Sequence, residues 1–155
     1  MKAQNVHPMF QVSEIKVSYQ PNYKASERPK VTTSGQAYQV LMDYWDSGRI
    51  RFQEQCFMLL LNCANRVIGI KEISSGGVAG TVIDPKLVFG IALKCAAYYV
   101  ILAHNHPSGN LAPSTADLQV TKRLVQAGQA LDLQLLDHLI VTTDKFYSFR
   151  DQGLI

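Results

Sequence analysis

The sequence predicts an α/β domain of three layers (α/β/α), in which helices cover both faces of a mixed β-sheet. Two observations support this fold class. Several short runs are apolar throughout, as expected of strands that are covered on both faces, and segments with the apolar spacing of helices lie between them. A chain of 155 residues can form one such domain with its own core and is short for two.

The composition narrows the class of protein further. Apolar residues make up 47% and charged residues 17% of the chain, which is typical of a globular protein. The formal charge of +3 is scattered and too small to indicate a nucleic-acid partner by itself. No stretch has the length of a signal peptide core or a membrane span, so we expect a cytoplasmic protein with no membrane partner. We interpret Cys56, Cys63 and Cys95 as reduced core residues, because no C-x-x-C pair is present.

Residues 1–32 differ from the rest of the chain. They are polar, contain three of the six prolines, and show one short alternation of apolar and polar residues, Val12 to Tyr19, that could form an edge strand. We therefore predict an extended N-terminal arm over residues 1–32 and a folded domain over residues 33–155.

The sequence of the first half of the domain predicts one helix and two strands. Thr33 or Ser34 can cap a helix that ends near Ser47-Gly48. Its apolar positions are Ala37, Val40, Leu41, Tyr44 and Trp45. The run EQCFMLLLN, which begins at Glu54, indicates a central strand, and RVIGIKEIS indicates its antiparallel neighbour.

The second half predicts two more helices and three more strands. Asp84-Pro85 is a helix start, and the buried stripe of that helix is expected at Leu87, Val88, Ile91 and Cys95. YYVILAH is the next strand, and a long helix then runs from Pro113-Ser114 to about Leu131 with Asp117 on its inward face. QLLDHLIVTT and KFYSFRDQG complete the sheet.

The stretch AHNHPSGNLAPSTAD suggests a metal site. Residues two apart on a strand point to the same side, so His104 and His106 can present both imidazoles to one point. Asp117 can supply a third ligand from the following helix. Two imidazoles, one carboxylate and one position for water make up the ligand set of a catalytic Zn²⁺ site.

Hydrolysis at such a site needs two further groups. A carboxylate near the metal can act as general base, and Glu54 and Glu72 are both candidates because each borders or lies within a predicted central strand. A hydroxyl can donate to the developing oxyanion, and Ser114 at the helix start suits that role. Ser114 and Asp117 also fit an ordinary helix cap, which is compatible with both roles.

The spacing H-x-H, seven residues, Ser, two residues and Asp resembles the motif of JAMM metallopeptidases, also called MPN or JAB domains. HNHPSG and LLDHLIV resemble the RadC-type bacterial branch. The resemblance implies the fold shared with cytidine deaminases, Zn²⁺ bound by His104, His106 and Asp117, and Ser114 as the oxyanion donor. It favours Glu54 over Glu72 as the base and implies cleavage of a peptide or isopeptide bond in a protein or peptide substrate.

Alternatives remain at this point. A non-catalytic RadC-like domain that associates with DNA or a DNA-processing partner would keep the same fold, although residues 1–35 contain nothing like the helix-hairpin-helix region common in RadC-type proteins. A zinc deaminase would need the P-C-x-x-C ligands, which are missing. His138 could orient a metal ligand or could simply be satisfied by a local hydrogen bond. The oligomeric state stays open.

Overall fold

A five-stranded mixed sheet forms the centre of the protein in a computed structural model, which describes residues 13–16, 18–77 and 80–155. The strand order is β2-β1-β3-β4-β5, and only β3 and β4 are parallel. The strands are β1 (Gln55–Leu61), β2 (Val67–Ser75), β3 (Tyr99–Asn105), β4 (Gln134–Val141) and β5 (Phe146–Ser148). The helices are α1 (Ser34–Tyr44), α2 (Pro85–Lys94) and α3 (Thr115–Ala130), with a 3₁₀ turn at Ala25–Glu27.

Helices cover both faces of this sheet, so the predicted three-layer α/β/α class is confirmed. One core cluster packs α1, through Ala37 and Leu41, against the face that carries Phe57. The other packs α2 and α3, through Phe89 and Leu124, against the opposite face. Each side chain of β1 is buried, as the apolar run over residues 56–61 predicts for a strand between two layers.

Helix α1 begins where the sequence predicts and ends earlier. The Thr33 hydroxyl oxygen accepts a hydrogen bond from the Gln36 backbone N–H at 3.2 Å and so caps the helix. The last helical residue is Tyr44, ahead of the predicted Ser47-Gly48 stop. Trp45 is buried against Phe57, with ring centroids 4.5 Å apart, whereas Tyr44 is 57% exposed, so its assignment to the buried stripe is wrong.

Helix α2 has the predicted cap but a different buried face. The Asp84 carboxylate accepts a hydrogen bond from the Lys86 backbone N–H at 2.9 Å, and Pro85 occupies the first turn. The fully buried side chains are Val88, Phe89 and Ala92. Leu87 is 44% exposed, so the predicted stripe is rotated by about one residue. The spacing could not decide this, because apolar residues occupy both sides of the helix.

Helix α3 presents a narrow line of residues to the sheet, one turn apart. Thr121, Leu124 and Gly128 are its buried residues, and Asp117 lies one turn before Thr121 on the same line. The prediction that Asp117 faces inward is therefore confirmed, with 14% of its side chain exposed. Two other apolar residues of this segment, Leu118 and Leu131, are each more than 40% exposed.

The end of the predicted arm packs on the domain. The Val67 backbone N–H donates to the Pro29 carbonyl at 2.9 Å, and Val31 is 3% exposed within the α1-side core. The edge strand predicted from Val12 to Tyr19 is not formed in residues 13–16 and 18–20, which are exposed and take no strand pairing. Val12 lies outside the described residues. The predicted boundary between arm and domain stays a prediction.

Two further findings concern cysteines and membranes. Cys56 is buried, Cys95 is half-buried and Cys63 is exposed, so the core assignment of Cys63 is wrong. Cys63 lies in the turn between β1 and β2, where its side chain has no layer above it. No helix among the described residues has the length and apolar character needed to cross a membrane.

Candidate metal centre

His104 and His106 lie at the C-terminal end of β3, at the centre of the sheet. His104 pairs with Cys56 on one side and with Ile140 on the other, and 1% of its surface is exposed. Both imidazoles point to the α3 side, and their Nε2 atoms are 3.0 Å apart. The alternation of side chains along a strand, used in the sequence analysis, brings these two rings together.

Asp117 approaches the same point from the first turn of α3. Its Oδ1 lies 3.2 Å from Nε2 of His104, and its Oδ2 lies 3.6 Å from Nε2 of His106. The Ser114 backbone N–H donates to Oδ2 at 2.7 Å, and the Ser114 hydroxyl accepts from the Asp117 N–H at 3.1 Å. This reciprocal cap holds the carboxylate on the inward side of the helix.

The carboxylate of Asp117 and the imidazole of His106 each stabilise the charged form of the other. Burial raises the pKa of Asp117, but the adjacent imidazoles of His104 and His106 and the hydrogen bond from the Ser114 N–H outweigh it and hold that pKa well below its usual range. The hydrogen bond with Asp117 raises the pKa of His106, although desolvation opposes this. Positive charge is therefore favoured beside a carboxylate that stays ionised.

The donor set fits a divalent metal ion. The His106 Nδ1 atom lies 2.6 Å from the Asn110 carbonyl oxygen, which can only accept, so Nδ1 is protonated and, in the neutral ring, Nε2 offers a lone pair. Two imidazole nitrogens and an ionised carboxylate converge within 3.6 Å of one another. A divalent cation would hold these atoms together when both rings are neutral, and nitrogen and oxygen donors of these types are the ones that Zn²⁺ takes.

Glu54 lies beside the histidines, immediately before β1. Ligand atoms of Glu54, His104 and His106 lie within 4.8 Å of one another, a grouping that could hold a metal ion. The Glu54 N–H donates to the Gly77 carbonyl at 3.1 Å, and its own carbonyl accepts from the Gly76 N–H at 2.8 Å. Burial raises the pKa of Glu54, and the nearby histidines only partly offset this.

Glu72, the other candidate base, lies elsewhere. It pairs with Phe57, which packs into the α1-side core, whereas His104 points to the α3 side. Its carboxylate accepts from the Ser75 hydroxyl at 2.7 Å and from the Gln55 side-chain amide at 3.1 Å. The structure thus brings Glu54, and not Glu72, to the histidines.

Asn105, between the two histidines, points to the opposite side of the sheet and is fully buried. Its amide nitrogen donates to the Ile50 and Gln53 carbonyls at 2.7 and 2.8 Å, and its oxygen accepts from the Gln55 N–H at 2.7 Å. These bonds hold the peptide groups on both sides of Glu54. The side chain between the ligands therefore fixes the segment that carries the carboxylate.

The family comparison gives an independent result. The family model described as RadC-like JAB domain matches residues 31–154, which is most of the chain. The chain belongs to the RadC-like JAB domain family. The mixed sheet with helices on both faces agrees with an α/β fold of the JAB type.

This RadC-like JAB domain is similar to curated proteins that carry the name UPF0758 protein. One from Flavobacterium johnsoniae is 45% identical over 125 residues, which make up 81% of this chain and 53% of the relative. Others from Chlorobium chlorochromatii and Porphyromonas gingivalis are each 37% identical over 136 residues; these make up 86% and 87% of this chain, respectively, and 59% of each relative. The chain spans about half the length of the curated relatives it matches.

His138 of this RadC-like JAB domain contacts His104 directly. His138 Nε2 lies 2.8 Å from Nδ1 of His104, and His138 Nδ1 lies 2.6 Å from the Thr121 hydroxyl. His138 therefore has a hydrogen-bond partner in Thr121 and also contacts a candidate ligand, so both interpretations that the sequence left open remain compatible with the structure. Thr121 was missed by sequence reasoning, although a polar residue one turn after Asp117 on a buried line is a signal that could have found it.

Proposed function

We propose that this RadC-like JAB domain is a zinc-dependent hydrolase of the JAMM type that cleaves a peptide or isopeptide bond. The observation that carries the proposal is the convergence of the Glu54 carboxylate with His104, His106 and Asp117 at one end of the central strands. Family membership supports it, because the JAMM motif is complete at these positions. The substrate class is a protein or peptide.

His104, His106 and Asp117 are the residues that would hold the metal. Two imidazole Nε2 atoms and one carboxylate leave room for a water in a four-coordinate site. A bound Zn²⁺ would supply a Lewis acid that lowers the pKa of water and polarises the substrate carbonyl.

Glu54 is proposed as the general base. Its carboxylate lies within 4.8 Å of the imidazole nitrogens and so borders the position that the attacking water would take. Because burial raises the pKa of Glu54, the carboxylate accepts a proton more readily than an exposed glutamate does. The same group can then return that proton to the leaving nitrogen.

Ser114 is proposed as the donor to the oxyanion. Its hydroxyl oxygen already accepts the hydrogen bond from the Asp117 N–H, and its own proton is not used in that bond. The hydroxyl can therefore cap α3 and donate to a substrate oxygen at the same time. A donor of this kind contributes by stabilising charge that develops only in the transition state.

Metal content and hydrolysis test this function separately. We expect the purified protein to hold one equivalent of zinc by mass spectrometry, and the His104→Ala variant to lose it. With an internally quenched peptide library and an ε-lysyl isopeptide library as probes, Glu54→Gln should lower turnover by about 100-fold or more with zinc unchanged. The matched variant Glu72→Gln should keep both.

The outcomes distinguish the candidate functions. A protein that holds no zinc and whose stability does not change with chelator would refute the hydrolase. A zinc-loaded protein without turnover, whose salt-dependent affinity for DNA is unaffected by Glu54→Gln, would favour the non-catalytic alternative.

A further inference from the structure

A line of buried polar side chains runs from α3 through β4 to β3 behind the candidate metal centre. The Thr121 hydroxyl contacts the Asp117 backbone carbonyl at 2.6 Å and His138 Nδ1 at 2.6 Å, and His138 Nε2 contacts His104 Nδ1 at 2.8 Å. Thr121, His138 and His104 are 2%, 0% and 1% exposed. The line therefore connects the helix that carries one proposed ligand to the ring of another, with no access for bulk water.

The direction of each hydrogen bond in this line follows from its first member. The Asp117 carbonyl can only accept, so the single proton of the Thr121 hydroxyl is donated to it. The Thr121 oxygen can then only accept from His138, which places a proton on His138 Nδ1. Two lone pairs facing each other at 2.6 Å would be the alternative, and this would be repulsive.

The protonation of His138 Nε2 and of both His104 ring nitrogens can be assigned in the same way. His138 has no exposed surface and, among the described residues, its ring nitrogens contact only the Thr121 hydroxyl and His104 Nδ1, with no carboxylate to balance a charge, so it carries the single N–H that faces Thr121. Its Nε2 therefore accepts, and His104 Nδ1 carries the proton that it accepts. His104 Nε2 is left with its lone pair directed at Asp117 and His106, as a metal ligand requires.

The orientation of the His138 ring is fixed from a second side. Its plane stacks on Phe149, with ring centroids 4.6 Å apart and an angle of 12° between the rings. The ring cannot turn without breaking either this contact or both of its hydrogen bonds. His106 obtains the same tautomer from a different group, the Asn110 carbonyl, so the two histidines are set independently.

We propose that Thr121 and His138 are positioning residues that fix the Nδ1–H tautomer of His104 and so keep its Nε2 lone pair free for the metal. This inference rests on the proposed metal site and extends it beyond the four motif positions. No group in the line has to gain or lose a proton for it to work. The same Thr121 hydroxyl also binds the turn that carries Asp117, which links two proposed ligands through one side chain.

The test replaces the hydroxyl of Thr121 and measures zinc affinity and tautomers directly. In Thr121→Val the His138 Nδ1–H loses its acceptor, so His138 is expected to move its proton to Nε2 and His104 to carry its own on Nε2. Long-range ¹⁵N–¹H NMR of the metal-free protein should show this change. The zinc dissociation constant, from competition with a chelator, should rise by about 10- to 100-fold.

Two controls separate this effect from a loss of packing. Thr121→Ser keeps the hydroxyl and should restore both the Nδ1–H tautomer and nearly all of the affinity. Thr142→Val removes another buried hydroxyl that binds a backbone carbonyl, that of Lys145 at 3.0 Å, and should leave zinc affinity unchanged.

Each other result overturns a defined part of the inference. If folded Thr121→Val keeps the His104 Nδ1–H and binds zinc within about twofold of the wild type, the positioning role is wrong and the metal site stands. A wild-type His104 that carries its proton on Nε2 would have the same consequence. A wild type that binds no zinc would overturn both the inference and the proposed function.

Discussion

At the scale of single residues, Asn105 shows how a site can depend on a side chain that points away from it. The amide satisfies two carbonyls and one N–H in the segment that carries Glu54, and it has no exposed surface. An asparagine suits this position because it offers donors and an acceptor at one end of a short side chain. The carboxylate next to the histidines is held from behind the sheet.

Removing this side chain should destabilise the protein. Asn105→Ala leaves three buried backbone groups without partners, so we expect the free energy of unfolding to fall by at least about 2 kcal/mol. Urea denaturation of the metal-free protein measures this. Asn62→Ala, which removes a side-chain cap from the half-buried β1–β2 turn, should cost less than about 1 kcal/mol, and equal losses in the two variants would contradict the argument.

The pH dependence of the metal-free protein is also decided by a pair of residues. The pKa of His106 is raised, chiefly by its hydrogen bond with Asp117. Protonated His106 therefore stabilises the folded protein below about pH 6.5, and this stabilisation is lost as the pH rises through the higher pKa of the folded state. The pKa of Asp117 is depressed, so its contribution is present above about pH 4 and is lost on further acidification. Both act together between about pH 4 and 6.5.

A difference measurement isolates this pair. The pKa of His138 is lowered by burial, so its contribution rises with pH and opposes that of His106 in the wild type. Comparing the wild type with Asp117→Asn cancels the His138 contribution to first order. We expect the stability difference between these two proteins, measured by urea denaturation with chelator, to be larger at pH 5.5 than at pH 8.5, and a constant difference would refute the assignment.

At the scale of elements, the close approach of α3 to the loop before β4 depends on one glycine. A β-carbon on Gly128 would lie 2.3 Å from the Leu133 carbonyl oxygen and 3.5 Å from the Phe89 ring. Gly128 is also where the Leu133 N–H returns a hydrogen bond to the end of the helix at 2.9 Å. The turn into β4 is thus built against the bare backbone of α3.

Alanine at two helical glycines should therefore have opposite effects. Gly128→Ala should lower the free energy of unfolding by about 1–3 kcal/mol, because the overlap with a backbone oxygen forces a shift of the helix. Gly90→Ala in α2 meets nothing within 4 Å and should raise stability by up to about 1 kcal/mol, as alanine favours helix. Denaturation curves of the two variants decide this, and stabilisation by both would contradict the contact.

The strands and helix caps could be predicted from the sequence, whereas the buried face of α2 could not. Strands β1 and β3 could be predicted because each contains an apolar run long enough for a strand buried on both faces, with polar residues only at one end. The caps at Asp84 and Ser114 could be predicted because they are local. The rotation of α2 could not, because only the position of the sheet decides which of two apolar sides is buried.

At the scale of the whole molecule, the candidate site combines local and distant information. The convergence of His104 and His106 follows from strand alternation, and Asp117 follows from the inward face of a helix. The contact between His138 and His104 could not be derived, because it depends on the register of β4 against β3, which carries a shift between Val100 and Ile101. Pairing registers are set by the assembled sheet and not by either strand alone.

The proposed ligands and His138, which contacts one of them, lie on elements that are synthesised one after another, and this order affects when the site can form. Both histidines leave the ribosome on β3 before α3 is complete, and β4, with His138, is made later still. A nascent chain could offer an ion only two imidazoles, one of them with its tautomer unset, and such capture would be loose. Firm retention would begin once β4 has been synthesised and has paired with β3, so zinc would be held tightly only after that pairing and not when the histidines first emerge.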